Sequence, residues 1–449
     1  MHILGICGTF MGGIAAIARE AGYRVTGCDA NVYPPMSDQL AALGIKLIEG
    51  YAEDQLALRP DVWVIGNAIT RGNPLMEAIL DRGERYQSGP EWLREQVLGA
   101  KWVLAVSGTH GKTTTSAMLA WILERCGRHP GFLIGGVPTD FSISARLTSS
   151  ELFVIEADEY DTAFFDKRSK FIHYRPKTAI INNIEFDHAD IFDDLTAIER
   201  QFRHFVRILP RSGLIVANTE DHVVKRVLTP AWTPIEGFGA DSNWRIDCAD
   251  ADGHFDVLHG EKSAGRVKWA LTGEHNRMNA LAAIAAARHA GVDPGAAVDA
   301  LSVFQGVRRR MEQRGVERGV SVYDDFAHHP TAIRTTLQGL RAKVGRARIL
   351  AVVEPRSNTM KLGRMKDELP ASLAPADEVY VYASGLGWDP IALFRSAGRN
   401  VHAAASVDAL VAEIAGQAHA GDHIVVMSNG GFGGIHGKLL AALRSGAGQ

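Results

Sequence analysis

Gly108, Thr109, His110, Gly111, Lys112, Thr113 and Thr114 carry the plainest chemistry in this chain: they follow the apolar run VLAVS and open the helical stretch TTTSAMLAWILERCG. A strand that breaks into glycines and resumes as a helix presents backbone N–H groups to an anion. A lysine placed there neutralises a phosphoryl group, and a threonine hydroxyl suits magnesium. The stretch predicts binding of a nucleoside triphosphate, ATP, together with Mg2+. Its spacing is GxxGKT, with Val106 where the common G-x-x-x-x-G-K-S/T pattern has its first glycine. Gly127 marks the expected end of the helix.

Two later segments place polar clusters directly after apolar runs: FVIEADEYD (153–161) and AIINNIEFDHAD (179–190). Ligands of parallel sheets gather at the carboxyl ends of strands. Glu156 and His188 are therefore expected beside the phosphate loop, where with Thr113 they form a metal set. Asp158, Glu159, Asp161, Glu185 and Asp187 are expected farther out or at the surface. In LTGEHNRMNALAAIAAA, His275, Asn276 and Asn279 open a helix and can read a purine or ribose; the alternative is simple capping by Asn276. Arg308, Arg309 and Arg310 offer positive charge from outside the loop, or form a basic linker. In GICGTFMGG, Gly5, Gly8 and Gly12, with Asp29 ending the next apolar run, admit a dinucleotide reading.

The elements that must position these groups alternate short apolar runs with helical-length amphipathic segments, which predicts an α/β fold with parallel sheets. Strands are expected at His2 to Cys7, Tyr23 to Cys28, Val62 to Ile65, Trp102 to Val106, Leu152 to Ile155, Ala179 to Asn182 and Leu214 to Ala217. A third series follows at Val320 to Tyr323, Ile349 to Val353, Glu378 to Tyr382 and His423 to Met427. Three groupings in 449 residues predict three domains, 1–98, 99–314 and 315–449. The first boundary lies near Val97 to Ala100 and the second in QGVRRRMEQRGVERG, while the tail SGAGQ is expected to fray.

A net charge of −3 gives no overall attraction to nucleic acid or an anionic membrane. The four cysteines, Cys7, Cys28, Cys126 and Cys248, are scattered as in a reduced, cytosolic protein. No apolar run approaches the ~20 residues of a membrane span, and the N-terminus lacks a basic leader, so the cytoplasm is the expected compartment.

GTHGKTTT, EADEYD, NNIEFDH, GEHNxxNA and YDDFAHHP, in this order, resemble the Mur ligase family, the ATP-dependent amide-forming enzymes of peptidoglycan synthesis, over essentially the whole chain. The resemblance implies a Rossmann-like N-terminal domain for a UDP-sugar, a central P-loop ATPase domain, and a Rossmann-like C-terminal domain bringing the amino substrate. It implies that Lys112 contacts the transferred phosphoryl group, that Glu156 and His188 serve magnesium, and that Asn183 supports the site. His275, Asn276, Asn279, Arg310 and Asp325 would contact ATP. Gly5, Gly8, Thr9, Met11, Gly12, Asp29 and Asn67 would line the UDP-sugar site.

The stretch EPRSNTMK (354–361) departs from the QPHRYTRT of alanine-adding members: Ser357 and Met360 replace two arginine-type clamps, while Arg356 and Lys361 stay basic. With GICGTFMGG, ANVYPPMSDQL, EADEYDTAFFDKRSKF and VVMSNGGFGGIHGKLL, it resembles the recycling branch of the family. Members of that branch attach the murein tripeptide L-alanyl-γ-D-glutamyl-meso-diaminopimelate to UDP-N-acetylmuramate through an acyl phosphate; free L-alanine is the alternative acceptor. Arg356, Ser357, Asn358, Lys361 and Asn429 are then expected to face the peptide, or to shape the domain junction. No lysine lies between Lys177 and Lys225, so the carbamylated lysine of several family members is not expected. A folylpolyglutamate-type ligase, a nicotinamide oxidoreductase and a nucleotide switch are the rival readings.

Overall fold

The computed structural model describes residues 1–30, 32, 36–250 and 253–445, without the side chains of Met36 and Asn358. The expected fraying of Gly446–Gln449 and part of ANVYPPMSDQL thus lie outside the described residues. Three sheets organise the chain. The first is all parallel, in the order Lys46–Glu49, Thr26–Asp29, His2–Leu4, Trp63–Ile65, Tyr86–Ser88. Strand order reverses between His2–Leu4 and Trp63–Ile65, so Gly5 and Gly66 follow the two strands that flank the switch point, where open α/β sheets take ligands.

The helix Thr9–Glu20 starts at this point and buries Met11, Ile14, Ala15, Ile17 and Ala18 along one stripe. It also lies on the edge of the second sheet: a Cβ on Gly13 would stand 2.3 Å from Leu133 Cδ1 and 3.2 Å from Ala145 Cβ. A side chain there would have to displace Leu133 and press on Ala145. The first and second sheets consequently share one apolar core, in which Met11 and Ile14 belong to the same cluster as Leu133, Phe153 and Phe202.

The second sheet has ten strands, with Trp102–Ser107 between Thr178–Ile181 and Leu152–Glu156, all three parallel. The ends of the two neighbours therefore bring Asn182–Asn183 and Glu156 to the phosphate loop. The helix Lys112–Arg125 ends at Gly127 (φ 72°) as expected, and packs against Glu274–His289. Every residue from Ala280 to Ala287 is fully buried there, and the small side chains let the two helices lie close. Trp244–Asp247, Phe255–His259 and Lys262–Val267 form an edge that the sequence reading missed. Trp244, Phe255, Val257 and Val267 are the only residues these three strands bury, so no continuous apolar run announces them.

The third sheet runs Glu312–Glu317, Val320–Asp325, His423–Met427, Ile349–Val353, Glu378–Tyr382, His402–Ala404, parallel except for its first pair. It begins ahead of the expected boundary at 314–315, because Glu312 already pairs with Asp324. The basic run is thus half connector and half edge strand. Met360 also departs from expectation: it is 2% exposed in this sheet's apolar core beside Leu369 and Phe394, and its carbonyl accepts Trp388 Nε1. It is a core residue and not the counterpart of a clamp facing a ligand. Met360→Arg should bury an unpaired guanidinium and lower stability by about 3 kcal/mol or more, read by urea unfolding; a loss under about 1 kcal/mol would show that the side chain can turn outward.

Candidate active site

The loop needs glycine at two positions. Gly111, the residue before the helix, has φ 82°, and a Cβ on it would lie 2.4 Å from Asn279 Oδ1; Gly108 has φ 132° and sits against Asn182 and Asn183. Asn183 holds the loop by accepting Thr109 N–H on its carbonyl (3.0 Å) and His110 N–H on Oδ1 (2.7 Å). Asn182 donates to Thr115 Oγ1 at 3.0 Å and faces Asn279 Oδ1 at 3.4 Å. Asn183 and Asn279 thus shape the loop from below.

Lys112 Nζ donates to the Gly108 carbonyl (2.8 Å) and to Glu159 Oε2 (2.9 Å), with Asp158 Oδ1 at 3.8 Å. Burial would strip its charge, but Glu159, Asp158 and Glu156 together hold it well above the ordinary lysine range. Glu159 also faces His188 Nε2 at 3.4 Å. Burial opposes its ionisation, yet Lys112 and His188 bring it down to about 2. His188 is shifted the other way: burial lowers it, and Glu159 with Asp187 outweighs burial and holds it above 6.5. Glu159 was expected outside the site and is instead 1% exposed at its centre. The strand ends at Glu156, so side-chain alternation says nothing about a residue three places on.

Glu156 accepts Thr113 Oγ1–H at 3.0 Å and Gly135 N–H at 2.7 Å, and burial beside Asp158 raises its pKa. The three expected metal residues therefore divide: Thr113 and Glu156 touch, while His188 turns to Glu159. Thr114 is buried in the helix's first turn.

The connector into the third sheet also reaches the loop. Arg310 Nη2 donates to Thr113 Oγ1 at 3.2 Å, and its guanidinium lies 5.0 Å from the Phe326 ring centre. Burial lowers the Arg310 pKa against the pull of Asp325 and Glu156. Asp325 is occupied structurally, accepting Met311 and Ala327 N–H at 2.8 Å each; burial raises its pKa. Arg309 ties the connector to the Ser428 and Gly430 carbonyls at 2.8 and 2.7 Å, which the reading as a transition-state arginine did not foresee.

His110, Glu185 and His329 lie close enough to hold a cation, and Glu185, expected at the periphery, contacts His110 at 3.1 Å. Both ring nitrogens of His329 are already used, however: Nδ1 accepts Thr331 N–H and Nε2 donates to the Phe186 carbonyl, each at 3.2 Å. The cluster is a domain junction.

His275 borders a cleft of about 520 Å³ with Asn218, Thr272, Gly273, Thr335 and Gln338. Burial, helped by Arg310 and Arg277, pushes its pKa to about 4, so the ring is neutral. Asn276 bonds back to the Thr272 carbonyl at 2.7 Å rather than capping its helix.

In the first sheet, Gly5 (φ 78°), Gly8 and Thr9 surround the helix start, and Asp29 Oδ2 accepts Cys7 N–H at 2.9 Å, bracing the loop. Asn67 is exposed nearby in sequence to Gly66, whereas Met11 is buried in the core and Gly12 makes the helix's first bond to Gly8. In EPRSNTMK, Arg356 and Lys361 are exposed and Ser357 Oγ accepts Met360 N–H at 3.3 Å. The Asn358 side chain lies outside the described residues. Asn429 Oδ1 is buried without a hydrogen-bond partner among the described residues, open to a donor.

Three family models match in sequence order: Mur ligase family, catalytic domain (residues 1–100), Mur ligase middle domain (106–287) and Mur ligase, glutamate ligase domain (309–430). The chain belongs to the Mur ligase family. It is 56% identical over 447 residues, 99% of this chain and 98% of the relative, to the UDP-N-acetylmuramate–L-alanyl-gamma-D-glutamyl-meso-2,6-diaminoheptandioate ligase of Escherichia coli. The UDP-N-acetylmuramate–L-alanine ligase of Solibacter usitatus is 34% identical over 394 residues, 85% of this chain and 79% of the relative. Among solved structures, a murein peptide ligase from Psychrobacter arcticus superposes with TM-score 0.77 at 47% identity, covering 99% of this chain and 98% of that one.

The junction histidine makes stability depend on pH. Burial, then the His110 charge, lowers the His329 pKa from 6.5 to about 4. Between those values the unfolded chain binds a proton that the folded chain refuses, so stability present above the unfolded pKa is lost as pH falls. The loss approaches about 3 kcal/mol. His329→Asn keeps a capping side chain and should flatten this part of the stability–pH curve in urea titrations. An unchanged slope would mean that His329 protonates freely in the folded state.

Proposed function

We propose that this protein is an ATP-dependent, ADP-forming ligase that joins L-alanyl-γ-D-glutamyl-meso-diaminopimelate to UDP-N-acetylmuramate in peptidoglycan recycling. The observation that carries the reaction type is the buried Lys112, held charged at a helix start by three carboxylates while Arg310 reaches Thr113 from the connector ahead of the third sheet. Full-length likeness to the tripeptide-adding relatives supports the acceptor.

A carboxylate does not condense with an amine at neutral pH, because its oxygen is a poor leaving group. In the proposed reaction the lactyl carboxylate oxygen attacks the γ-phosphorus, and the bond to ADP breaks. The peptide amine then attacks the acyl phosphate, the C–N bond forms, and phosphate leaves with the C–O electron pair. Lys112 and Arg310 offset charge on the transferred group. Thr113 and Glu156 supply adjacent hard oxygen donors of the kind a divalent cation takes. Mg2+ bound by these two residues would neutralise charge on the phosphoryl oxygens. Glu159 raises the His188 pKa and so favours its charged form beside the phosphoryl site.

The glycine loop at Gly5–Thr9 is the proposed UDP-sugar site, the cleft at His275 the proposed adenosine site, and Arg356, Lys361 and Asn429 face the peptide. Among the described residues no helix is long and apolar enough to cross a membrane, and use of ATP and a UDP-sugar supports a cytoplasmic setting for the proposed reaction.

Lys112→Ala should reduce turnover at least about 10³-fold, the scale of losing a transition-state electrostatic group, while UDP-N-acetylmuramate binding measured by calorimetry persists. Phosphate release with ATP, magnesium and UDP-N-acetylmuramate, with product mass confirmed, should depend on the tripeptide. Preference for free L-alanine would move the protein to de novo synthesis.

A further inference from the structure

Lys170 has no part in the chemistry described so far, yet it lies between the two loops that must bring their substrates together. It follows the hairpin Asp161–Ala163/Asp166–Ser169, and its backbone N–H donates to the Tyr160 carbonyl at 3.1 Å. The adjacent Ser169 hydroxyl bonds to the Glu159 carbonyl, so the hairpin carries Lys170 back to the carboxylate cluster. Its side chain is 3% exposed. The ammonium sits 4.1 Å from the Tyr160 ring centre and 4.5 Å from that of Phe10, the residue after Thr9 in the glycine loop of the first sheet.

The anionic partner of this ammonium is Asp158, with Oδ2 at 3.6 Å, and the other oxygen of the same carboxylate stands 3.8 Å from Lys112 Nζ. At 3.6 Å from Asp158 Oδ2, the Lys170 ammonium is paired at a distance long for a hydrogen bond. A buried ammonium with three N–H donors, two aromatic faces and one loosely placed carboxylate is under-coordinated, and desolvation makes that costly. Replacing Asp158 by a better-placed anion would relieve the cost. That anion would lie one carboxylate's width from the lysine that meets the transferred phosphoryl group.

Resting on the function proposed above, we infer that Lys170 binds the carboxylate of the UDP-sugar that is to be phosphorylated, taking it in exchange for Asp158 and holding it beside Lys112. The Tyr160 and Phe10 rings favour the cation and exclude water from it, and Phe10 connects the glycine loop to the reacting end of the same substrate. Lys170 is then a binding and specificity residue: it separates a UDP-sugar bearing a carboxylate from one without it.

The test compares UDP-N-acetylmuramate with UDP-N-acetylglucosamine, which shares the diphosphate and sugar but lacks the lactyl carboxylate, by calorimetry on the full chain. The parent should prefer the first, and Lys170→Met should weaken it at least about tenfold while leaving the second unchanged. Equal losses for both would assign Lys170 to the diphosphate, and no loss for either would leave it a structural residue; both results overturn the inference. Should the Met variant not fold, Lys170→Gln is judged by the same ratio. Failure of the parent to bind UDP-N-acetylmuramate would instead defeat the proposed function itself.

Discussion

A buried ammonium among carboxylates is the constraint around which the structure is arranged. Lys112 at a helix start adds positive charge where the helix dipole is already positive, and it stays charged there only because Glu159 and Asp158 lie within an ion-pair distance. Those two acids come from the irregular segment after Leu152–Glu156, so the neighbouring strand must be parallel and in register for them to arrive. The register places Val106 opposite Glu156 and Ser107 opposite Ile181, which delivers acid on one side of the loop and asparagine on the other. Removing any of the three strands removes the balance of charge.

Much of this was legible from residue types. Parallel strands announced themselves as apolar runs, and the loop, Glu156, Asn183 and Arg310 were expected near one another and are. What escaped notice shares a physical trait. Glu159 and Lys170 stand in irregular backbone, where neither a period of two nor of 3.6 assigns a face. Arg309, with φ 60°, is aimed by a turn that nothing in VRRRME specifies. Met360 aligns with an arginine-type clamp of related loops, yet its side chain belongs to the core. Motifs report which groups are present, and burial decides what each is free to do.

The two junctions around the centre differ in chemistry. The first and second sheets share a continuous apolar core and cannot separate without exposing it to water. The third sheet meets the second near the loop largely through polar contacts: Arg310 to Thr113, His329 to the Phe186 carbonyl, and Ala189 N–H to Thr359 Oγ1. Polar contacts of this kind exchange with water at small net free energy. The third sheet keeps an apolar core of its own, while the first and second share one, so the two substrate loops keep a fixed relation to each other.

Gly13 fixes that relation by having no side chain, and this bears on exchanging modules between proteins. A chimaera that grafts a foreign nucleotide-sugar domain onto this central domain would need a small residue at the same turn of its first helix, opposite Leu133 and Ala145. A larger side chain there would press on Leu133 and Ala145 one turn from Phe10, so compatibility between grafted halves is written at a seam that contacts no ligand.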